Sequence, residues 1–192
     1  MQRRWLWLLI ALFLVDAFLF CVWCVRRGAR RYDARIWQAA SRYGVDPALV
    51  KAVIWRESRF DAKARGLAGE IGLMQIRALA AQEWAQSERI QPFAHEHLVD
   101  PGTNILAGTW YLGKLLKRYQ TTDNPLPYAL ADYNAGRAHV LRWMESSAKT
   151  NSVQFLSQMD FPGTQKYIRS VTDRYTLYRS AVESSRTQDN SR

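Results

Sequence analysis

Two Asp-Pro pairs, Asp46–Pro47 and Asp100–Pro101, each stand directly before a run whose apolar residues recur at a period near 3.6. An Asp side chain accepts hydrogen bonds from the first free N–H groups of a helix. Proline suits the first helical position, where no N–H is needed. Both pairs therefore predict helix starts. Behind the first, Leu49, Val50, Val53 and Ile54 share one face. Behind the second, Ile105, Gly108, Leu112, Leu115, Leu116 and Tyr119 do the same. Further helices are predicted at 33–43, 71–86, 127–134, 138–147 and 164–183, and no stretch alternates as a strand would over several residues. The chain reads as all-α, with a polar tail at 184–192 expected to be disordered.

Glu57 continues the apolar face of the first of these helices, four residues after Val53 and three after Ile54. An anionic carboxyl on a buried face is costly, so burial raises its pKa and holds its proton. That is the state a general acid needs at neutral pH. A helix-end Glu paired with a neighbouring Arg is the competing reading, and the helix alone leaves both open.

Residues 5–25 form an apolar run with one charge, Asp16. At 1.5 Å per residue this run spans about 31 Å as a helix, enough for a hydrocarbon core of ~30 Å. Trp5, Trp7 and Trp23 sit near its ends, where aromatic residues favour the interface. The length of the run, and the absence of a small-x-small cleavage site after it, favour an uncleaved signal anchor over a signal peptide. Asp16 costs about 2.5–3.5 kcal/mol on insertion scales, which the surrounding Leu, Phe, Val and Ile offset. Arg3 and Arg4 precede the run and Arg26, Arg27, Arg30 and Arg31 follow it. Taken alone, that bias would leave the remainder of the chain in the cytoplasm. The organisation expected is a short flank at 1–4, a transmembrane anchor at 5–25, a basic linker at 26–35, a catalytic domain at 36–183 and a tail at 184–192.

The formal charge of the whole chain is +10. Beyond residue 31 there remain 21 basic and 16 acidic residues, which favours an anionic partner. Cys21 and Cys24 both lie in the apolar run, so the domain has neither a disulfide nor a thiolate nucleophile. His95, His97 and His139 lack metal-ligand spacing, and no cofactor is expected. The glycines of 65–72 follow no strand and precede no GK[ST], which argues against a phosphate cradle. No recognisable element reads nucleic acid. Glycoside chemistry remains, with Glu57 as one carboxyl and Glu70 or Asp132 as candidates for a second.

Three blocks carry a resemblance. They are Trp55–Arg56–Glu57–Ser58–Arg59–Phe60, then Gly72–Leu73–Met74–Gln75 preceded by Gly69–Glu70–Ile71, then Tyr133–Asn134–Ala135–Gly136. In this order they resemble the ES, GLMQ and YNAG motifs of the soluble lytic transglycosylase catalytic domain, a lysozyme-like fold that cleaves peptidoglycan. The helix behind Asp100–Pro101 is similar as well, and the likeness extends over roughly 36–178. The resemblance implies a lysozyme-like helical domain, and the apolar run at 5–25 sets it behind a single N-terminal transmembrane helix. It implies Glu57 as sole acid/base, with Ser58 organising its surroundings. Gly72, Met74, Gln75, Tyr133, Asn134, Ala135 and Tyr167 would serve substrate binding along the cleft. It further implies peptidoglycan glycan strands as partner, 1,6-anhydro ring closure without water, and a domain facing the periplasm or cell wall. That placement opposes the arginine bias, and the substrate decides for it. Two departures stand out: Asp132 replaces a small apolar residue, and Gly163–Thr164–Gln165–Lys166–Tyr167 lacks the family's Glu and Arg. Glu70 is the expected substitute for that Glu. The alternatives are a muramidase that uses water and a non-catalytic glycan-binding scaffold.

Overall fold

The computed structural model describes residues 7, 13–16 and 30–189, with side chains described as far as 184. It divides into two units, Met1–Ala34 and Arg35–Arg192. Most of the expected anchor at 5–25 lies outside the described residues. Among those described, no helix is long and apolar enough to cross a membrane.

From Asp33 the chain runs through α1 (Asp33–Tyr43), α2 (Pro47–Ser58), α3 (Ala78–Ser87), α4 (Pro101–Arg118) and α5 (Pro125–Ala135). It continues through α6 (Arg137–Trp143), α7 (Ser152–Gln158) and α8 (Pro162–Asp189), with 3-10 turns at His95–Val99 and Ser146–Lys149. Residues 33–35, expected in the linker, already begin α1. The last helix passes through 184–189, where a disordered tail is expected from composition; no Gly or Pro there interrupts it.

Both proline-led starts are capped as expected. Asp46 accepts from Ala48 N at 2.8 Å and Asp100 from Thr103 N at 2.7 Å. Helix α2 packs along α8, and α5 is bordered by α4, α6, α7 and α8. Val50, Val53 and Ile54 are fully buried, as are Leu112 and Leu115 of α4. Between α2 and α8 the Trp55 indole receives two guanidinium groups, Arg59 Cζ at 3.5 Å and Arg174 Cζ at 3.8 Å from its ring centroid. Tyr119, Tyr128 and Phe155 stack in sequence and tie α4, α5 and α7 together.

Helix α2 stops one residue after Glu57. Arg59 (φ 54°) and Phe60 (φ 67°) both enter the left-handed region, and Arg59 N caps the helix by donating to Trp55 O at 3.2 Å. The helix predicted from 71 begins only at Ala78. Residues 71–76 instead form a tight turn closed by reciprocal bonds between Ile71 and Ile76, N–H to O at 3.2 and 3.1 Å. Gly72 (φ 78°) and Gln75 (φ 47°) take left-handed conformations that no helix accommodates. The apolar spacing misled because Ile71, Leu73, Met74 and Ile76 are all buried by this turn.

Gly72 is required twice over. Its φ is positive, and a Cβ there would stand 2.3 Å from Asn104 Nδ2 and 2.9 Å from the Leu98 carbonyl. Gly72→Ala should therefore cost about 2–4 kcal/mol from left-handed strain and overpacking. For a domain of this size that is a fall of roughly 5–15 °C in Tm by calorimetry. An unchanged Tm would refute this account of the turn.

Candidate active site

Glu57 is half-buried at the C-terminal end of α2 and lines a cleft shared with the 70–77 segment, α4 and α5. Its Oε1 accepts a hydrogen bond from the Tyr167 hydroxyl of α8 at 2.6 Å. Among the described residues no Arg or Lys forms an ion pair with it; Arg56 lies 5.2 Å above the Tyr167 ring instead. Burial raises the Glu57 pKa to about 7. The Tyr167 hydrogen bond and the Arg56 charge oppose that rise, and the Glu70 charge adds to it. The helix-end ion pair that competed with the acid reading is therefore absent from this site.

The wall opposite is built on buried polar bonds. Asn104 of α4 is fully buried; its Oδ1 accepts from Met74 N at 2.8 Å, and its Nδ2 donates to Ile71 O at 2.8 Å and Leu98 O at 3.0 Å. The Ser58 hydroxyl donates to Leu73 O at 2.8 Å, with Ile54 O at 3.2 Å. The Tyr133 hydroxyl donates to Met74 O at 2.7 Å. Three separate helices thus hold the 71–76 turn against the end of α2. Asn104 has no role legible in the sequence, because its partners lie up to 33 residues away.

The site residues read from sequence separate into two groups. Glu57, Glu70, Gln75, Tyr133 and Asn134 line the cleft. Gln75 is oriented by its Nε2, which donates to Gly72 O at 2.8 Å and Ala64 O at 3.1 Å. Asn134 is exposed, and its Oδ1 accepts from Thr164 at 2.9 Å. Ala135, between Asn134 and Gly136, is half-buried. The others sit behind the wall. Met74 was expected to face substrate, but its side chain is fully buried, with Thr109 Oγ1 4.0 Å from its sulfur. Gly72 is buried against Asn104, and the Ser58 hydroxyl is engaged by the turn. Tyr167 is buried, and its hydroxyl donates to Glu57.

Neither candidate second carboxylate is free. Asp132 is buried and bound to Arg118 Nη1 at 2.6 Å and the Tyr119 hydroxyl at 2.7 Å. Glu70 Oε1 receives Arg77 Nε at 2.8 Å, and its Oε2 receives Ala68 N at 3.0 Å. Burial pushes the Glu70 pKa up, but bonds from its own backbone N–H, Arg77 and Ala68 outweigh it, and the carboxyl titrates below the usual range. Tyr111, on the helix behind Asp100–Pro101, lines the cleft with its ring 5.5 Å from that of Tyr133.

A helical domain with one proton-retaining carboxyl at the end of an apolar helix, faced by a polar turn, defines a lysozyme-like class of site. Residues 35–155 match the family described as Transglycosylase SLT domain, and the chain belongs to that family. It is similar to membrane-bound lytic murein transglycosylase F of Desulfosudis oleivorans, 38% identical over 57% of this chain and 23% of the relative. It is also similar to membrane-bound lytic murein transglycosylase C of Edwardsiella ictaluri, 32% identical over 79% of this chain and 45% of the relative. The chain thus spans less than half the length of either relative. Among solved structures it resembles the 70 kDa soluble lytic transglycosylase of Escherichia coli, with TM-score 0.70 and 27% identity over 79% of this chain and 24% of that one.

The Tyr167 hydroxyl stabilises the ionised form of Glu57. Tyr167→Phe should therefore move the Glu57 titration upward from about 7, by roughly one pH unit, the worth of one hydrogen bond. Carbon NMR of labelled carboxyl groups reads this directly, and a downward movement would contradict the assigned geometry.

Proposed function

We propose that this chain is a peptidoglycan lytic transglycosylase that cleaves the β-1,4 bond from N-acetylmuramic acid to N-acetylglucosamine without water. Glu57 is its sole acid/base. Its proton passes to the glycosidic oxygen as the C1–O bond breaks. The C6 hydroxyl of the same muramic residue then attacks C1, and its proton returns to Glu57. A 1,6-anhydro ring results, and the carboxyl regains its starting state. Tyr133, Gln75 and Asn134 offer neutral hydrogen bonds to hydroxyl and N-acetyl groups along the cleft.

The observation that carries this reading is the contrast among the three cleft carboxyls. Glu57 has no ion pair and titrates near 7, whereas Glu70 is held by Arg77 and Asp132 by Arg118. Hydrolysis needs a second carboxylate able to act as base or nucleophile. Ring closure needs none. The muramidase and scaffold alternatives each predict a different product.

Purified protein on peptidoglycan should release fragments one water lighter than hydrolysed ends by mass spectrometry. Glu57→Gln should reduce the yield about 10²–10⁴-fold, the usual worth of a positioned acid/base. Activity should also fall as pH rises through about 7, because the carboxyl then loses the proton it must deliver. Ends carrying added water would favour the muramidase, and unchanged yield in the variant would favour the scaffold.

Residues 5–25 serve, in this proposal, as a single-pass anchor in the cytoplasmic membrane, with the domain facing the periplasm or cell wall. The apolar run supports this, as do the names of the membrane-bound relatives. A reporter active only outside the cytoplasm, fused after Arg192, should give signal; a cytoplasmic reporter signal would sink the placement.

A further inference from the structure

Arg77 stands immediately before α3 in extended backbone (φ −80°, ψ 155°), and its side chain lines the cleft that holds Glu57. Its Nε and Nη2 both lie 2.8 Å from Glu70 Oε1. Glu70 is in turn fixed by the Ala68 N–H on its other oxygen. The guanidinium is therefore oriented from the loop backbone through one carboxylate. It carries five N–H donors in a rigid fork. Among the described residues no acceptor meets the edge between Nη1 and Nη2, and the side chain is 64% exposed. Such an edge matches the two oxygens of a carboxylate, which it grips with paired hydrogen bonds.

The surrounding charges make this edge distinctive. Arg77 is the one cation among the described residues lining the cleft. Arg118, on the far side of Asp132, is occupied by that carboxylate. A chain of N-acetylated sugars in which each muramic lactyl group is amide-linked to a peptide carries its negative charge on the peptide carboxylates.

We propose that Arg77 is a specificity-determining residue that holds a carboxylate of the muramic stem peptide through its Nη1–Nη2 edge. Glu70 is its positioning residue. This rests on the peptidoglycan reading above and gives Glu70 a task other than catalysis. It also names what the cleft selects: strands whose stem peptides retain free carboxylates.

The test uses two synthetic glycan oligomers, identical except that the stem-peptide carboxylates are free in one and amidated in the other. The full chain should show kcat/KM about tenfold higher for the free form, the scale of one charge-assisted pair, carried mostly in KM. Arg77→Gln should bring the ratio of the two substrates to near one, Arg77→Lys should restore part of it, and Glu70→Gln should give an intermediate ratio. Equal cleavage of both oligomers by the wild-type chain would overturn the proposal, whatever the variants do. A ratio that survives Arg77→Gln would overturn it too. Cleavage of neither oligomer by the wild-type chain would overturn the transglycosylase reading itself, and this proposal with it.

Discussion

A carboxyl placed at the end of an apolar helix face must find a hydrogen-bond donor without meeting a full counter-charge. Paired with Arg it would ionise, and left bare it would carry an unsatisfied buried oxygen. The Tyr167 hydroxyl resolves this for Glu57 at 2.6 Å. A neutral donor satisfies either protonation state, since the hydroxyl can donate to an anion and sit beside an acid. Burial outweighs the opposing effects, so the pKa settles near 7. The arrangement depends on α8 lying along α2, which brings together residues 110 positions apart in the chain. Arg56 is adjacent in sequence yet lies over the Tyr167 ring, so it pulls on Glu57 only at a distance.

The facing wall depends on how polar groups are shared. A six-residue turn cannot satisfy its own backbone as a helix does, and a buried N–H or C=O without a partner costs about 1–3 kcal/mol. Asn104 takes the Met74 N–H and the Ile71 carbonyl, and outside the turn the Leu98 carbonyl; Tyr133 takes the Met74 carbonyl, and Ser58 takes that of Leu73. Each of these side chains belongs to a helix whose position is fixed by apolar packing. Rigidity passes from the core to the turn through hydrogen bonds, and the motif residues behind the wall hold it in place.

What the sequence made legible was local. The caps at Asp46 and Asp100 involve partners two and three residues away, and the face carrying Glu57 follows from a 3.6-residue period. The resemblance in the three motif blocks located the cleft. The turn at 71–76 was misread because its apolar residues recur as they would on a helix, and the two left-handed residues that break it leave no mark in hydrophobicity. Met74 was misplaced for the same reason, since a motif does not say which way a side chain points. Asn104 and the bond from Tyr167 to Glu57 were beyond reach for another reason: these hydrogen bonds span 30 and 110 residues. Residues 184–189 continue α8, which polar composition alone does not forbid.

Charge is distributed in the cleft so that one acid can keep its proton. Three carboxyls line it, and three unpaired anions so close would repel. Asp132, at a position where the family favours an apolar side chain, is bound by Arg118 and Tyr119, and burial followed by the Asp132 bond and charge pushes the Tyr119 phenol up. Such a pair is no more stable than well-packed apolar residues, but half of it would be far worse. Glu70 is offset by Arg77, yet its charge still adds to the upward push on Glu57. The two arginines neutralise the neighbours, and among the described residues none forms an ion pair with Glu57. The acid is selected by where cations are withheld as much as by where apolar residues are placed.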